Sequence, residues 1–279
     1  MWQLTSIELF KIFKKPRTYI SFAAIAAIIA LVQLALYVDG ETYLQFVMQS
    51  VAETFAIEGK KLNGYFVCYT ILQTLLVHVP LLIALVAGDA IAGEANMGTL
   101  RLLAAKPVSR TQLVLSKFAA STIYTVSLLF FMAVLSLFVS LLIFGKSDLM
   151  VFKSDMLLIL PQHDVMWRYA GAFGFAVLAM TTVAALAFLL SVFAENSIGP
   201  IISTMSIIIL FTILTTMDIP FFNVLKPYLF TNHMLNWKGF FEDPVDYSEL
   251  LKSMLMLLGH IIAFVSITIF VFRKKDILS

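Results

Sequence analysis

Charge is scarce in this sequence. Only 13% of its 279 residues are Asp, Glu, Lys or Arg, while 61% are hydrophobic. A soluble domain carries about 25% charged residues, so a water-soluble globule of this composition would leave a large apolar surface uncovered. Cysteine is almost missing: a single residue, Cys68, excludes an internal disulfide. No Cys/His cluster has zinc-ligand spacing, so no bound metal is expected. A net charge of only +2 offers no polycationic face for nucleic acid, and no nucleic-acid partner is expected. The N-terminus lacks the short apolar stretch ending in small residues that marks a cleavable signal peptide.

What is present instead is a series of long apolar runs. About 20 apolar residues in a helix cross a bilayer core of roughly 30 Å. Six segments qualify, at about 18–38, 65–88, 118–144, 169–194, 199–217 and 250–272. A Lys, Arg or Asp at mid-bilayer costs about 2.5–3.5 kcal/mol, and none of these segments carries one at its centre. The expected fold is therefore an all-α membrane protein, with residues 1–279 forming a single transmembrane domain of six helices.

With both termini on one side, that side carries Lys11, Lys14, Lys15, Arg17, Arg101, Lys106, Arg110, Lys117, Arg273, Lys274 and Lys275. The remaining eight of the 19 basic residues lie in longer segments opposite, among most of the acids. The positive-inside rule then places both termini in the cytoplasm. Residues 1–17 read as an amphipathic helix: Trp2, Leu9, Phe10, Ile12 and Phe13 share one face, and Glu8, Lys11, Lys14 and Lys15 the other. Such a helix suits the membrane interface and contact with membrane lipids, and Pro16 is expected to end it.

One cytoplasmic segment, 89–117, is more polar than a plain connector requires. Asp89 and Glu94 follow the second span, and Gly98-Thr99 can end one helix and start another. Residues 99–106 favour a short helix that Thr99 can cap and Pro107 ends. Ser109 can cap the helix that leads into the third span, leaving Arg101 and Arg110 available to a cytosolic partner.

These residues resemble the cytoplasmic loop of the type-2 ABC exporter permeases, with Asp89, Ala92, Glu94, Gly98, Thr99, Leu100, Leu103, Pro107, Ser109, Arg110 and Lys117 at the matching positions. Outside this loop the resemblance is one of layout. It implies a cytoplasmic coupling helix that docks on a separate ABC ATP-binding subunit, through Asp89, Glu94, Gly98, Thr99, Arg101, Pro107, Ser109 and Arg110. The turn at 194–200, with Glu195 and Asn196, is a second candidate contact. The implied assembly has two ATP-binding subunits and a second permease chain, identical or different, in the bacterial plasma (inner) membrane. ATP and Mg would sit on the partner subunit, with no cofactor bound by this chain. A path between the first and fifth spans of facing chains would be lined by Gln33, Ser203, Ser206, Thr212, Thr215 and Thr216. An accessory protein on the outer side is a further partner the outer segments leave room for.

No catalytic residues are expected. Gly145-Lys146-Ser147 imitates the end of a phosphate loop, but Ser140 stands where the earlier glycine belongs. His78 and His260 lie within spans, where a neutral imidazole bonded to a neighbouring helix is one reading and a functional group the other. The outer segments 39–64, 145–168 and 218–249 are long; the last is aromatic and broken by proline, which suits re-entrant or surface pieces. Three alternatives remain open: a non-transporting component of an ABC assembly (mechanotransmission or sensing), a secondary transporter, and an intramembrane enzyme. The last two lack their usual marks, namely inverted repeats, intramembrane charges or catalytic carboxylates.

Overall fold

The computed structural model describes residues 1–52, 62–99, 108–152, 157–217 and 219–275. It holds six helices long and apolar enough to cross a membrane, one for each apolar run in the sequence. Helix α1 (Trp2–Lys14) precedes α2 (Pro16–Ala52), and Lys15 is extended between them. Pro16 opens α2 at a position where its missing N–H costs nothing. Asp39, at φ −122°, interrupts α2 one residue beyond the apolar run, so the helix continues past its first break. Then come α3 (Gly64–Ala87), α4 (Asp89–Asn96), α5 (Arg110–Phe144), α6 (Gln162–Phe193), α7 (Ile198–Thr216) and finally α10 (Tyr247–Lys274).

Helices α3 and α6 form the centre of the bundle and are buried along most of their length. Small residues make this possible. Ala172, Ala176, Ala179, Ala184 and Ala187 of α6 are all buried, and small side chains let helix backbones approach closely. Tyr65 and Tyr169 stack at 5.9 Å where α3 meets α6, and the Tyr169 hydroxyl donates to the Tyr65 carbonyl at 2.6 Å. Helices α2, α7 and α10 surround this pair and leave about half of their apolar side chains exposed.

Two features depart from a purely helical reading. Residues Leu149–Phe152 (β1) and Leu157–Leu160 (β2) pair antiparallel, with Leu149 opposite Leu160. Four apolar residues per strand are too few to separate a period of 2 from a buried helical turn. The second departure is inside α5, where Val134–Val139 form a π-helical stretch.

The aromatic region 219–249 folds into short pieces: α8 (Pro220–Asn223), a 3₁₀ turn (Lys226–Tyr228), α9 (Phe230–Met234) and a second 3₁₀ stretch (Leu235–Phe241). Surface aromatics were expected here, and Phe221 and Tyr228 are exposed. Phe230, Trp237 and Phe241, however, are buried. Phe241 meets Tyr169 edge-on at 4.8 Å and Tyr69 at 5.1 Å. Arg168 holds this lid from α6, donating to the carbonyls of Phe240 and Glu242 while pairing with Asp164.

Candidate functional site

The charges concentrate where α1, α4 and α5 meet. Lys117 lies in the second turn of α5, and its ammonium is almost wholly buried. It sits 2.8 Å from Glu8 Oε2 and 2.7 Å from Glu94 Oε2. Lys11 closes the figure from the other side, 2.7 Å from Glu8 Oε1 and 2.9 Å from Glu94 Oε1. Two lysines and two glutamates therefore form a neutral ring in which every charge has two opposite neighbours.

Beside the ring stands a second group. Asp89 Oδ2 is 2.5 Å from Lys15 Nζ, Asp89 Oδ1 is 2.8 Å from Arg17 Nη1, and Ser197 donates its hydroxyl to the same carboxylate. The two groups border a small cavity of about 30 Å³, enough for a water molecule.

The electrostatics follow from this geometry. Burial alone pushes the Glu8 carboxyl up. The charge of Lys117, with the bonds from Lys11 and Lys117, outweighs it and leaves the pKa below the ordinary 4.5. Burial draws Lys11 down, but its bonds to Glu8 and Glu94 prevail and hold it above the ordinary 10.5. Both groups are thus fixed in their charged forms.

Helix α1 is turned so that this can happen. Glu8 is buried and Lys11 half-buried, whereas Trp2, Ile7 and Phe10 are exposed. The charged stripe faces the protein and the apolar stripe faces away, the reverse of a helix on a soluble domain.

Helix α4 is tied to the bundle at its start as well. The amides of Ile91 and Ala92 donate to Ser191 Oγ of α6, at 3.1 and 2.8 Å. Two of the N-terminal N–H groups that a helix cannot satisfy internally are thus met by another helix. At its far end Gly98 takes a φ of +68°, a conformation open to glycine at little cost. Thr99 donates its hydroxyl to the Glu94 carbonyl at 3.3 Å. The expected coupling helix at 99–106, with Arg101 and Pro107, lies mostly in 100–107, outside the described residues.

Beyond it, Ser109 caps α5 as anticipated: its Oγ accepts from the Gln112 amide while Gln112 reaches back to the Ser109 N–H. Arg110 does not extend freely. Its Nη1 donates to the carbonyls of Arg273 and Lys275 at 3.0 and 2.7 Å, which caps the end of α10. Glu195 and Asn196 are exposed in the α6–α7 turn, where Asn196 Oδ1 accepts from the amides of Ile198 and Gly199.

The partner-facing role expected of Asp89, Glu94 and Arg110 thus meets a competing fact: all three side chains are engaged within the chain. Sequence alone does not single out Glu8, Lys11, Lys15, Arg17, Ser191 and Ser197 as members of this site. A lysine abutting a long apolar run, as Lys117 does, was the available signal, because burial there demands a carboxylate partner.

Within the one chain the candidate path residues lie on two separate helices, α2 and α7. Gln33 is buried and donates to the Leu135 carbonyl at 3.1 Å and to Ser140 Oγ at 3.0 Å. It fastens α2 to the π-helical stretch of α5, where the shifted ladder leaves a carbonyl to be met. Ser203, Ser206, Thr212 and Thr216 are exposed on α7, and Thr215 and Thr216 donate to carbonyls of their own helix. His78 and His260 likewise bond through Nδ1 to Thr74 and Met256 in their own helices, not to a neighbour. Among the described residues no His, Cys, Asp and Glu group could hold a metal ion.

Comparison with known proteins places the chain in a family. Residues 19–278 match the family described as "Protein of unknown function (DUF2705)", and the chain belongs to it. It is also similar to "Uncharacterized protein YhcI" of Bacillus subtilis (strain 168), at 25% identity over 205 residues. That match covers 69% of this chain and 63% of the other protein, so the chain spans less than two thirds of that relative's length.

Proposed function

We propose that this chain, as a member of that family, is the membrane-spanning permease subunit of an ATP-driven ABC exporter. It works with a second permease chain and two ATP-binding subunits, which carry ATP and Mg. Both termini face the cytoplasm of a bacterial cell, and α1 lies at the membrane interface with Trp2, Ile7 and Phe10 toward lipid. The outward apolar stripe of α1 supports that placement.

The observation that carries the reading is the tethering of the 89–117 loop at both ends. Its residues resemble the coupling loop of type-2 exporters. Its first part, α4, is bonded to α6 through Ser191 and to α1 through Glu94, and its last part is bonded to α1 through Lys117. A push delivered to either end of this loop is therefore carried into several long helices at once. Asp89 and Glu94 brace that lever from within, and the direct contact with the ATP-binding subunit falls to the segment that includes Arg101. Coupling of this kind needs a rigid element whose position differs between two states.

Purification of the chain from its host membrane tests the reading. The expected preparation hydrolyses ATP, and Arg101→Glu abolishes recovery of that activity while leaving the thermal midpoint of the chain unchanged. A chain recovered without nucleotide hydrolysis from every membrane preparation overturns it.

A further inference from the structure

The last two turns of α10 carry an arrangement that none of the preceding contacts uses. Phe270 is 59% exposed, and Lys274, one turn further on, places its ammonium 4.2 Å from the centre of the Phe270 ring. Together they form a ridge with a groove on each side. One groove, of about 450 Å³, is lined by Ser266, Ile269, Phe270, Arg273 and Lys274. The other, also of about 450 Å³, runs toward α6 and is lined by Val192, Phe193, Phe270, Val271, Lys274 and Lys275.

The cations at the head of these grooves differ in what they have left to offer. Lys275 donates to the Val192 carbonyl at 2.7 Å and closes the second groove at its top. Arg273 and Lys274 are exposed, and among the described residues neither has an ion pair. Below them the outer face of α10 stays apolar, with Ile267, Ile262 and Leu258 exposed. Two cations with no ion pair among the described residues thus stand above two apolar channels divided by one aromatic ring.

We infer that this end of α10 is a binding site for a two-chain anionic phospholipid. The phosphate sits between Arg273 and Lys274, and one acyl chain runs down each side of Phe270. The choice of occupant rests on charge complementarity and shape. A neutral headgroup leaves both cations without a counter-ion, and a single chain leaves one groove empty. Basic residues at the end of a membrane-crossing helix are also where anionic headgroups concentrate. The inference requires only that α10 crosses a bilayer, and it stands or falls separately from the exporter reading.

Lipid retention by the purified full chain, counted by native mass spectrometry, tests it. Phosphatidylglycerol is the probe, with phosphatidylcholine of the same chains and single-chain lysophosphatidylglycerol beside it. The two-chain anionic lipid is expected to be retained over both. The double change Arg273→Gln with Lys274→Gln is expected to weaken retention about thirtyfold, taking roughly 1 kcal/mol for each basic residue near an anionic surface. The exchange Arg273→Lys with Lys274→Arg keeps it, and Lys238→Gln with Lys252→Gln, which removes the same charge elsewhere, leaves it unchanged. Equal retention of phosphatidylcholine, or displacement of the lipid by soluble glycerol phosphate, overturns the inference. So does a double variant that changes the oligomeric state but not lipid retention, for then a second copy occupies the grooves.

Discussion

Glu8 and Lys117 are 109 positions apart in the chain and meet at 2.8 Å. The glutamate stands on a helix whose apolar stripe faces outward, and the lysine is buried at the start of a long apolar run. Each explains the other. Without Glu8 the buried ammonium lacks one of its two carboxylates, and without Lys117 the charged stripe of α1 has less reason to turn inward.

Removing the lysine alone should be costly. Lys117→Met leaves Glu8 and Glu94 facing each other with only Lys11 between them, and breaking a buried pair from one side costs about 3–5 kcal/mol. The double change Glu8→Met with Lys117→Met leaves a simple Lys11–Glu94 pair and should cost less than Lys117→Met by itself. Thermal unfolding of the detergent-solubilised chain measures both, and equal losses would show that the ring is not a coupled unit.

The ring also sets a pH window. Glu8 is held below 4.5 in the folded chain, so its contribution is present above 4.5 and is lost as the pH falls through its lowered folded value. Lys11 is held above 10.5, so its contribution is present below 10.5 and is lost as the pH rises through its raised value. Between about 5 and 10, a range inside both reference values, both contributions should be fully present and these two groups should add no pH dependence to the thermal midpoint. Glu8→Gln should flatten the acid limb of a midpoint-against-pH curve. An acid limb of unchanged depth in that variant would assign it to other carboxylates.

Ser191→Ala withdraws the acceptor from two amides at the head of α4. Loss of a helix-capping side chain costs about 1 kcal/mol. Hydrogen exchange at Ile91 and Ala92 should speed up in the variant while α3 stays protected.

Gly98 offers a cleaner backbone test. Among the described residues a Cβ there meets nothing within 4 Å, and its φ of +68° opposes a side chain. Gly98→Ala should cost about 1 kcal/mol, and Gly98→Asn less, because asparagine tolerates this region better. Equal midpoints for the glycine and alanine chains would mean that the turn does not keep this conformation.

Much of the architecture was readable because lipid imposes a simple rule: a helix that crosses it needs a long apolar run. All six long helices fall on such runs, and the run ending at residue 38 stops one position before the Asp39 break. Ser109 was readable too, since Ser-x-x-Gln before a helix is a local signal with a local mechanism. The β1–β2 pair was not, because four-residue apolar strands carry too little pattern. Nor was the π-helical stretch that Gln33 fastens, since its bonds are decided by what packs beside it.

The sequence by itself determined the class of molecule, the number of long helices and the charge asymmetry between their ends, all of them consequences of hydropathy counted along one dimension. Only the tertiary structure decided which charges meet. Asp89, Glu94 and Arg110 stand out in the sequence as ligands for a partner, and in the fold all three also bind within the chain. An ammonium buried beside apolar helices takes the nearest carboxylate in space, and distance in space is not encoded in spacing along the chain.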